Sequence, residues 1–494
     1  MMKLSKMKKS IILFIFLVWV LLVFSPNIYS NETNSVEINK KIDLVVKKAI
    51  NTNRIPGIAL SVIKDGDIIY SKGFQRSVKS NDKKITADTP LYIGSISKSF
   101  TSLAIMQLVE KGKINLDESV AEYLTFFEVD KNNFEGEITI RQLLHHRSGM
   151  SEEEYMESLP GNFSIEKGVE DLQGMKLSYG PGEKFNYFNP NYNILGLIIE
   201  KVSGMSYEDY IKKNILAPLE MENTYLEKEV IKEKVPNGHI SFFSFPIKKE
   251  EEFKKHSLPS GFIVSTANDM ANYLIFQQTG EYKGRKLIAN STLNEMHTPW
   301  NNNDSGYAMS WNIGEKFDYK IIEHGGSLYS YSANMTMLPE KNTGVILLIN
   351  QNHFVYNIIS NNQLVDNILK ILINPELDTD EIDFIPLGNI FLIIALIAIL
   401  TIIKDIYQLF NLKKWKKKME YKNNVRIYLD IISNLLMPSS LIIIIPLIFD
   451  MVFNRKMTFM PAFYLMPGVV SWLILSSILN IIKGIGKILK IKYK

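Results

Sequence analysis

Three long stretches without a single charged residue crowd the C-terminal end of the chain, at 384–403, 431–449 and 457–482. Each is long enough to cross a hydrocarbon core of about 30 Å at roughly 1.5 Å per helical residue. Buried core helices are the bland alternative, but three in succession with little between them read as membrane spans. Pro438, Pro446, Pro461 and Pro467 are compatible with that, since membrane helices tolerate proline. Whatever else the chain builds must fit in front of this anchor.

Charge orients the spans. Lys404, Lys413, Lys414, Lys416, Lys417, Lys418, Lys422 and Arg426 fall between the first two, and Lys483, Lys487, Lys490, Lys492 and Lys494 follow the third. Only Arg455 and Lys456 lie between the second and third. Positive residues stay in the cytoplasm, so the first loop and the tail are expected inside, and everything before the first span outside. The N-terminus agrees independently. Lys3, Lys6, Lys8 and Lys9 precede the apolar run Ile11 to Phe24, the pattern of an export signal. Ile28 is large for a cleavage site, so a cleaved signal peptide and a retained anchor both stay open for residues 1–30.

A net charge of +4 over 494 residues gives no field that would call for nucleic acid, and the basic clusters are explained by topology. Zero cysteines exclude disulfides, thiolate metal sites and cysteine catalysis. The expected plan is a single soluble unit over 31–374, an acidic linker over 375–383, and a three-helix membrane region over 384–494.

Within the soluble unit, Ile58 to Lys64, Asp65-Gly66 and Asp67 to Phe74 read as strand, tight turn and strand. Ser97 to Lys111 reads as a helix stopped by Gly112. Residues 333–338 and 344–350 read as a second strand pair, turned at 339–342, and Gln363 to Ile373 as an amphipathic helix. Strands at both ends with helices between predict an α+β domain: one antiparallel sheet joining both ends of the unit, flanked by helices, beside a helical region.

Three short motifs carry chemistry. Ser95-Ile96-Ser97-Lys98 opens the predicted helix, and a spacing of three puts both side chains on one face. A serine hydroxyl needs a neighbour to take its proton, and a buried lysine can do so. Alone the motif is weak: Ser5/Lys8, Ser80/Lys83 and Ser164/Lys167 repeat it in unsuitable contexts. Tyr187-Phe188-Asn189 offers a phenol for proton relay and an amide for a carbonyl, although Tyr421/Asn423 repeats that spacing. His324-Gly325-Gly326-Ser327 is the only His-x-Gly in the chain; its glycines admit a close backbone approach, and a strand-edge N–H there could meet an oxyanion. No metal-binding or nucleotide-binding motif is present, so no cofactor and no metal are expected.

In this order the motifs resemble those of the serine β-lactamase and penicillin-binding-protein superfamily. The likeness is to its class C branch and extends over nearly all of residues 40 to 370. It includes PGIALSVIKDG, LYIGSISKSFTSLAIMQLVEKGKINLDESVAEYL, ITIRQLLHHRSGM, PGEKFNYFNPNYNILGLIIEKVSGMSYEDYI and PSGFIVSTANDMANYL. With the C-terminal spans it is similar to the FmtA-like, penicillin-binding-protein-4-like surface proteins.

The resemblance implies a β-lactamase/transpeptidase-like fold. It implies Ser95 as the acylated nucleophile, with Lys98 and Tyr187 exchanging its proton. Asn189, His324, Gly325, Gly326 and Ser327 bind substrate, and the N–H groups of Ser95 and Ser327 form an oxyanion hole. His324 stands where many relatives have lysine, and Phe188 where a small residue is usual; His145 and His146 look like a structural turn. The expected activity is acyl-enzyme hydrolysis of D-alanyl peptides or esters of the cell envelope, with β-lactamase and non-catalytic wall sensor as alternatives. Cell-wall material and the membrane are the expected partners, with oligomeric state left open. A histidine with an ordinary pKa of about 6.5 at position 324 would make activity change around pH 6–7.

Overall fold

The computed structural model describes residues 28–76, 83–151, 163–301, 306–420, 422–436 and 466–492. The export signal lies outside the described residues.

Among the described residues ten strands form three sheets: β1 (Gly57–Lys64), β2 (Asp67–Gln75), β3 (Leu91–Tyr92), β4 (Gly238–Phe242), β5 (Phe245–Lys249), β6 (Val264–Ser265), β7 (Asn312–Lys316), β8 (Tyr319–Ser327), β9 (Ser332–Leu338) and β10 (Thr343–Ile349). The main sheet is antiparallel, in the order β2-β1-β10-β9-β8-β7. β1 lies against β10 in the register Ile58 to Ile349 and Lys64 to Thr343, so the two ends of the soluble unit share one sheet as expected. The Asp-Gly turn forms where the sequence places it, with Asp65 and Gly66 both at positive φ.

β9 and β10 are buried along their whole length because both faces of the sheet are covered. On one face lies the large core containing the helices Ser97–Glu110, Pro190–Ser203 and Ala267–Thr279. On the other lie the helices Ile28–Asn53 and Asn362–Ile373, which bring Ile42, Val46, Ala49, Leu364 and Ile368 onto the sheet. The first of these is an unforeseen element that runs through position 30. Ile382, in the expected linker, and Phe384, the first residue past it, are buried in the same cluster.

The Ser97–Glu110 helix is enclosed nearly all round, with Phe100 stacked on Tyr273 at 4.1 Å. Gly112 at φ +65 follows its end, the conformation in which glycine stops a helix. Pro190 opens the next long helix and Gly204 at φ +70 closes it, so Asn189 is held at a fixed helix start.

Among the described residues two helices, not three, are long and apolar enough to cross a membrane: Leu387–Phe410 and Pro467–Ile491. The middle stretch expected at 431–449 is helical over 431–436, and its remainder lies outside the described residues. Of the stretch expected at 457–482, residues 457–465 lie outside the described residues, and the helix Pro467–Lys492 covers the rest and continues past 482. Both helices run past the first charges, where the sequence pattern places their ends. The reason is pairing: Lys483 donates to Asp405 and to Gln408, each at 2.8 Å, and Asn480 donates to Asp405 at 2.9 Å. Thr401 accepts from Trp472 nearer the helix starts, so the two helices run parallel.

Candidate active site

The loop before the Ser97–Glu110 helix is pinned from both sides. Ile93 donates to the Ile263 carbonyl at 3.1 Å. The Ser97 hydroxyl donates to the Gly94 carbonyl at 2.7 Å and accepts from the Ile263 N–H at 3.2 Å. Gly94 takes φ +54, and residues 94–96 form a short 3-10 turn. Ser95 sits on that turn, half-buried at the rim of the cleft.

One helical turn on, Lys98 is completely buried. Its Nζ donates to Ser95 Oγ at 3.2 Å, to Asn189 Oδ1 at 2.8 Å and to the Ser260 carbonyl at 2.6 Å. It also lies 4.9 Å from the Tyr187 ring centroid and 5.7 Å from that of Tyr192. These three oxygens are neutral. They orient the amine toward the serine.

Phe188 is fully buried and directed into the core, so the bulky middle residue of Tyr-x-Asn does not occupy the cleft. Its N–H meets His146 Nδ1 at 3.2 Å. His146 takes φ +55 and lies face against Tyr187, ring centroids 4.2 Å apart. The HHRSGM turn thereby positions the Tyr187 ring, a contact that sequence spacing does not reveal.

The His-Gly-Gly-Ser segment forms the end of β8, whose earlier residues 319–323 pair with β7. From His324 onward β8 extends beyond its pairing with β7, and Gly326 and Ser327 lie against the turn that carries Ser95. A Cβ on Gly94 would stand 2.4 Å from the Ser327 nitrogen, and one on Gly326 would stand 1.9 Å from the Ile93 carbonyl. Only glycine permits this backbone-to-backbone approach, which brings the Ser327 amide beside the Ser95 turn.

His324 corrects an expectation. Burial, and secondarily the nearby Lys98 charge, push its pKa down to about 3. It is therefore neutral throughout the physiological range and does not titrate at pH 6–7. Its Nδ1 donates to the Gly325 carbonyl at 2.7 Å, which leaves Nε2 to accept from the Tyr307 hydroxyl at 3.1 Å. Tyr307 is itself held against Tyr187, centroids 6.1 Å apart. Tyr307, Tyr192 and Ser260 do not stand out in the sequence; each carries a residue type too common to signal a site without its neighbours.

The structure thus gathers Ser95, Lys98, Tyr187, Asn189, His324 and the Gly325–Ser327 strand end into one cluster, a hydroxyl beside a buried amine and next to a strand end. Protein flp of Staphylococcus aureus (strain MW2) is 30% identical to this chain over 318 residues, 63% of the length of each. Beta-lactamase-like protein 2 of Dictyostelium discoideum is 28% identical over 367 residues, 69% of this chain and 65% of its own. The chain therefore spans less than two thirds of the length of these relatives. An octameric penicillin-binding protein homologue from Pyrococcus abyssi superposes with a TM-score of 0.59 at 30% identity, covering 69% of this chain and 78% of its own. A class C beta-lactamase superposes with a TM-score of 0.57 at 21% identity, covering 67% of this chain and 96% of its own, a likeness of fold. Residues 42–368 match the family described as Beta-lactamase, and with two thirds of its length in that match the chain belongs to this family of serine β-lactamase-fold hydrolases.

Proposed function

We propose that this chain is a membrane-anchored hydrolase whose catalytic domain lies outside the cytoplasm and which works through an acyl-enzyme on Ser95. The observation that carries the reading is Lys98 Nζ, completely buried and 3.2 Å from Ser95 Oγ. Ser95 Oγ attacks the substrate carbonyl while its proton passes to Lys98, with the Tyr187 hydroxyl as relay. The N–H groups of Ser95 and Ser327 receive the oxyanion. Collapse expels the alcohol or amine, which leaves with a proton from the Lys98–Tyr187 pair. Water then attacks the acyl-enzyme, gives its proton to the same pair and releases the acid.

His324 supports one choice of substrate class. A neutral imidazole accepting from Tyr307 gives no positive charge to grip a substrate carboxylate. That favours D-alanyl esters of envelope polymers over carboxylate-bearing D-alanyl peptides and β-lactams. The anchor reading is supported by two parallel apolar helices that begin beside the catalytic domain, with Lys490 near the far end of one and Lys413, Lys416 and Lys417 on the short helix Leu412–Met419 that follows the other.

The test uses the full chain and its Ser95→Ala variant, treated with a fluorophosphonate and with a fluorescent penicillin. Adduct on Ser95, ester turnover and little penicillin labelling are expected. Rapid acquisition and loss of penicillin would establish the β-lactamase alternative. An adduct on a different serine, or full ester turnover by Ser95→Ala, would overturn the proposal.

A further inference from the structure

The β4–β5 hairpin leaves Phe242, Phe245 and Ile247 exposed at 36%, 52% and 45%. Three large apolar side chains on one short hairpin are a surface that something covers. Their position says what. Phe243, between them in sequence, is buried in a cluster with Leu387 and Phe391 from the first turns of one apolar helix. A Cβ on Gly468, at the start of the other, would stand 2.5 Å from the Phe243 nitrogen. The hairpin tip therefore lies level with the beginnings of both helices, where their lipid-facing length starts.

Arg54 closes the patch. Its guanidinium carbon is 5.9 Å from the Phe245 ring centroid, and its Cγ is 3.5 Å from where a Cβ on Gly388 would stand. Aromatic rings with a long cationic side chain at helix ends are what the headgroup layer of a bilayer accommodates.

We infer that the β4–β5 hairpin is seated in the headgroup–acyl boundary of the bilayer that the two helices cross, with phospholipid as the partner of Phe242, Phe245 and Ile247. This rests on the membrane reading proposed above. The contact is linked to the active site through its base. His239 donates to the Ser330 carbonyl at 3.1 Å, and the Asn352 N–H donates to the His239 carbonyl at 3.0 Å. The Asn352 amide then donates to Ser327 Oγ at 2.9 Å. The bilayer thereby sets the height and tilt of the strand end that faces Ser95, and the cleft is held over substrates carried near the membrane surface.

The absence of cysteine allows single-site spin labelling of the full chain. Phe242→Cys, Phe245→Cys, Ile247→Cys, Ile393→Cys and Asn342→Cys are labelled in phosphatidylglycerol–phosphatidylethanolamine nanodiscs, and relaxation by oxygen is compared with relaxation by a nickel chelate. The hairpin labels should show an oxygen-to-nickel ratio several-fold above Asn342, at the end of the sheet where β9 turns into β10, approaching that of Ile393 on the Leu387–Phe410 helix. A water-like Ile393 would sink the membrane reading itself. A lipid-like Ile393 with hairpin labels that are water-like, or shielded from both relaxants, would overturn the hairpin proposal alone. Because a label can drag a loop into lipid, Lys248→Cys is measured with and without Phe242→Ser, Phe245→Ser and Ile247→Ser. The triple replacement should lower its ratio several-fold, and an unchanged ratio counts against the proposal.

Discussion

Lys98 in the cleft and Lys483 between the apolar helices are both withdrawn almost completely from water. Lys98 is held by a hydroxyl, an amide oxygen and a peptide carbonyl. Lys483 is held by the Asp405 carboxylate at 2.8 Å and the Gln408 amide at 2.8 Å. Burial alone does not give a lysine its role. Lys98 is set among a serine hydroxyl and two carbonyl-type oxygens beside the proposed nucleophile, whereas a carboxylate at contact distance makes Lys483 and Asp405 one electrostatic unit that joins two helices.

The largest effect should come from Lys98→Arg. A guanidinium keeps positive charge but does not give up its proton, so ester turnover should fall by roughly 10²–10⁴-fold. Lys483→Arg should leave turnover and thermal stability close to those of the parent. Equal losses in the two variants, read by ester hydrolysis and by unfolding in detergent, would break the comparison.

Next in size, Lys483→Met strands the Asp405 charge and should destabilise the helix pair by about 3–5 kcal/mol. Adding Asp405→Leu to the same chain should restore most of the lost thermal stability. A double variant as unstable as the single would mean that the pair does not act as a unit.

The cleft side is sharpened by pH. Burial pushes His324, His297 and His353 down to about 3 and His145 down to about 4, from an ordinary 6.5. Below pH 6.5 the unfolded chain takes up protons that the folded one refuses. Stability is therefore complete above pH 6.5 and declines as pH falls toward these depressed values, by roughly 2 kcal/mol per histidine at pH 5. Melting temperatures between pH 7.5 and 5 should fall accordingly, and His297→Gln should flatten the dependence. A melting temperature constant across that interval would contradict the buried neutral state.

The smallest effect belongs to Tyr307→Phe. It removes one hydrogen bond to His324 Nε2, worth about 1 kcal/mol, and should reduce kcat/KM roughly fivefold while the pH profile near neutrality keeps its shape. A new titration near pH 6 would show that Tyr307 also helps keep His324 neutral.

Much of the fold and of the site is legible in the order of the amino acids. Asp65-Gly66 between two apolar runs locates the first hairpin, because few other dipeptides tolerate that turn. The Ser-x-x-Lys spacing predicts a hydroxyl and an amine on one helical face, and they lie 3.2 Å apart. The apolar helices are legible as apolar lengths, but their ends are not. Lys483 and Asp405 look like helix ends until each is seen to neutralise the other. His146 is legible only as part of a turn beside the site, and Tyr307 not at all, because an isolated tyrosine has no periodicity or spacing to mark it.

The sequence by itself determined the pairing of Ser95 with Lys98, the strand pair that starts the sheet, and the apolar lengths that demand a membrane or a partner. These are local properties, fixed by side-chain type and spacing within a few residues. Tertiary structure alone decided that Lys98 meets neutral oxygens, that His324 is an uncharged acceptor, and that Gly94 and Gly326 bring two backbones together. Those outcomes depend on dielectric surroundings and on contacts between segments hundreds of residues apart, and a charge state or close approach exists only once the fold has assembled both sides of it.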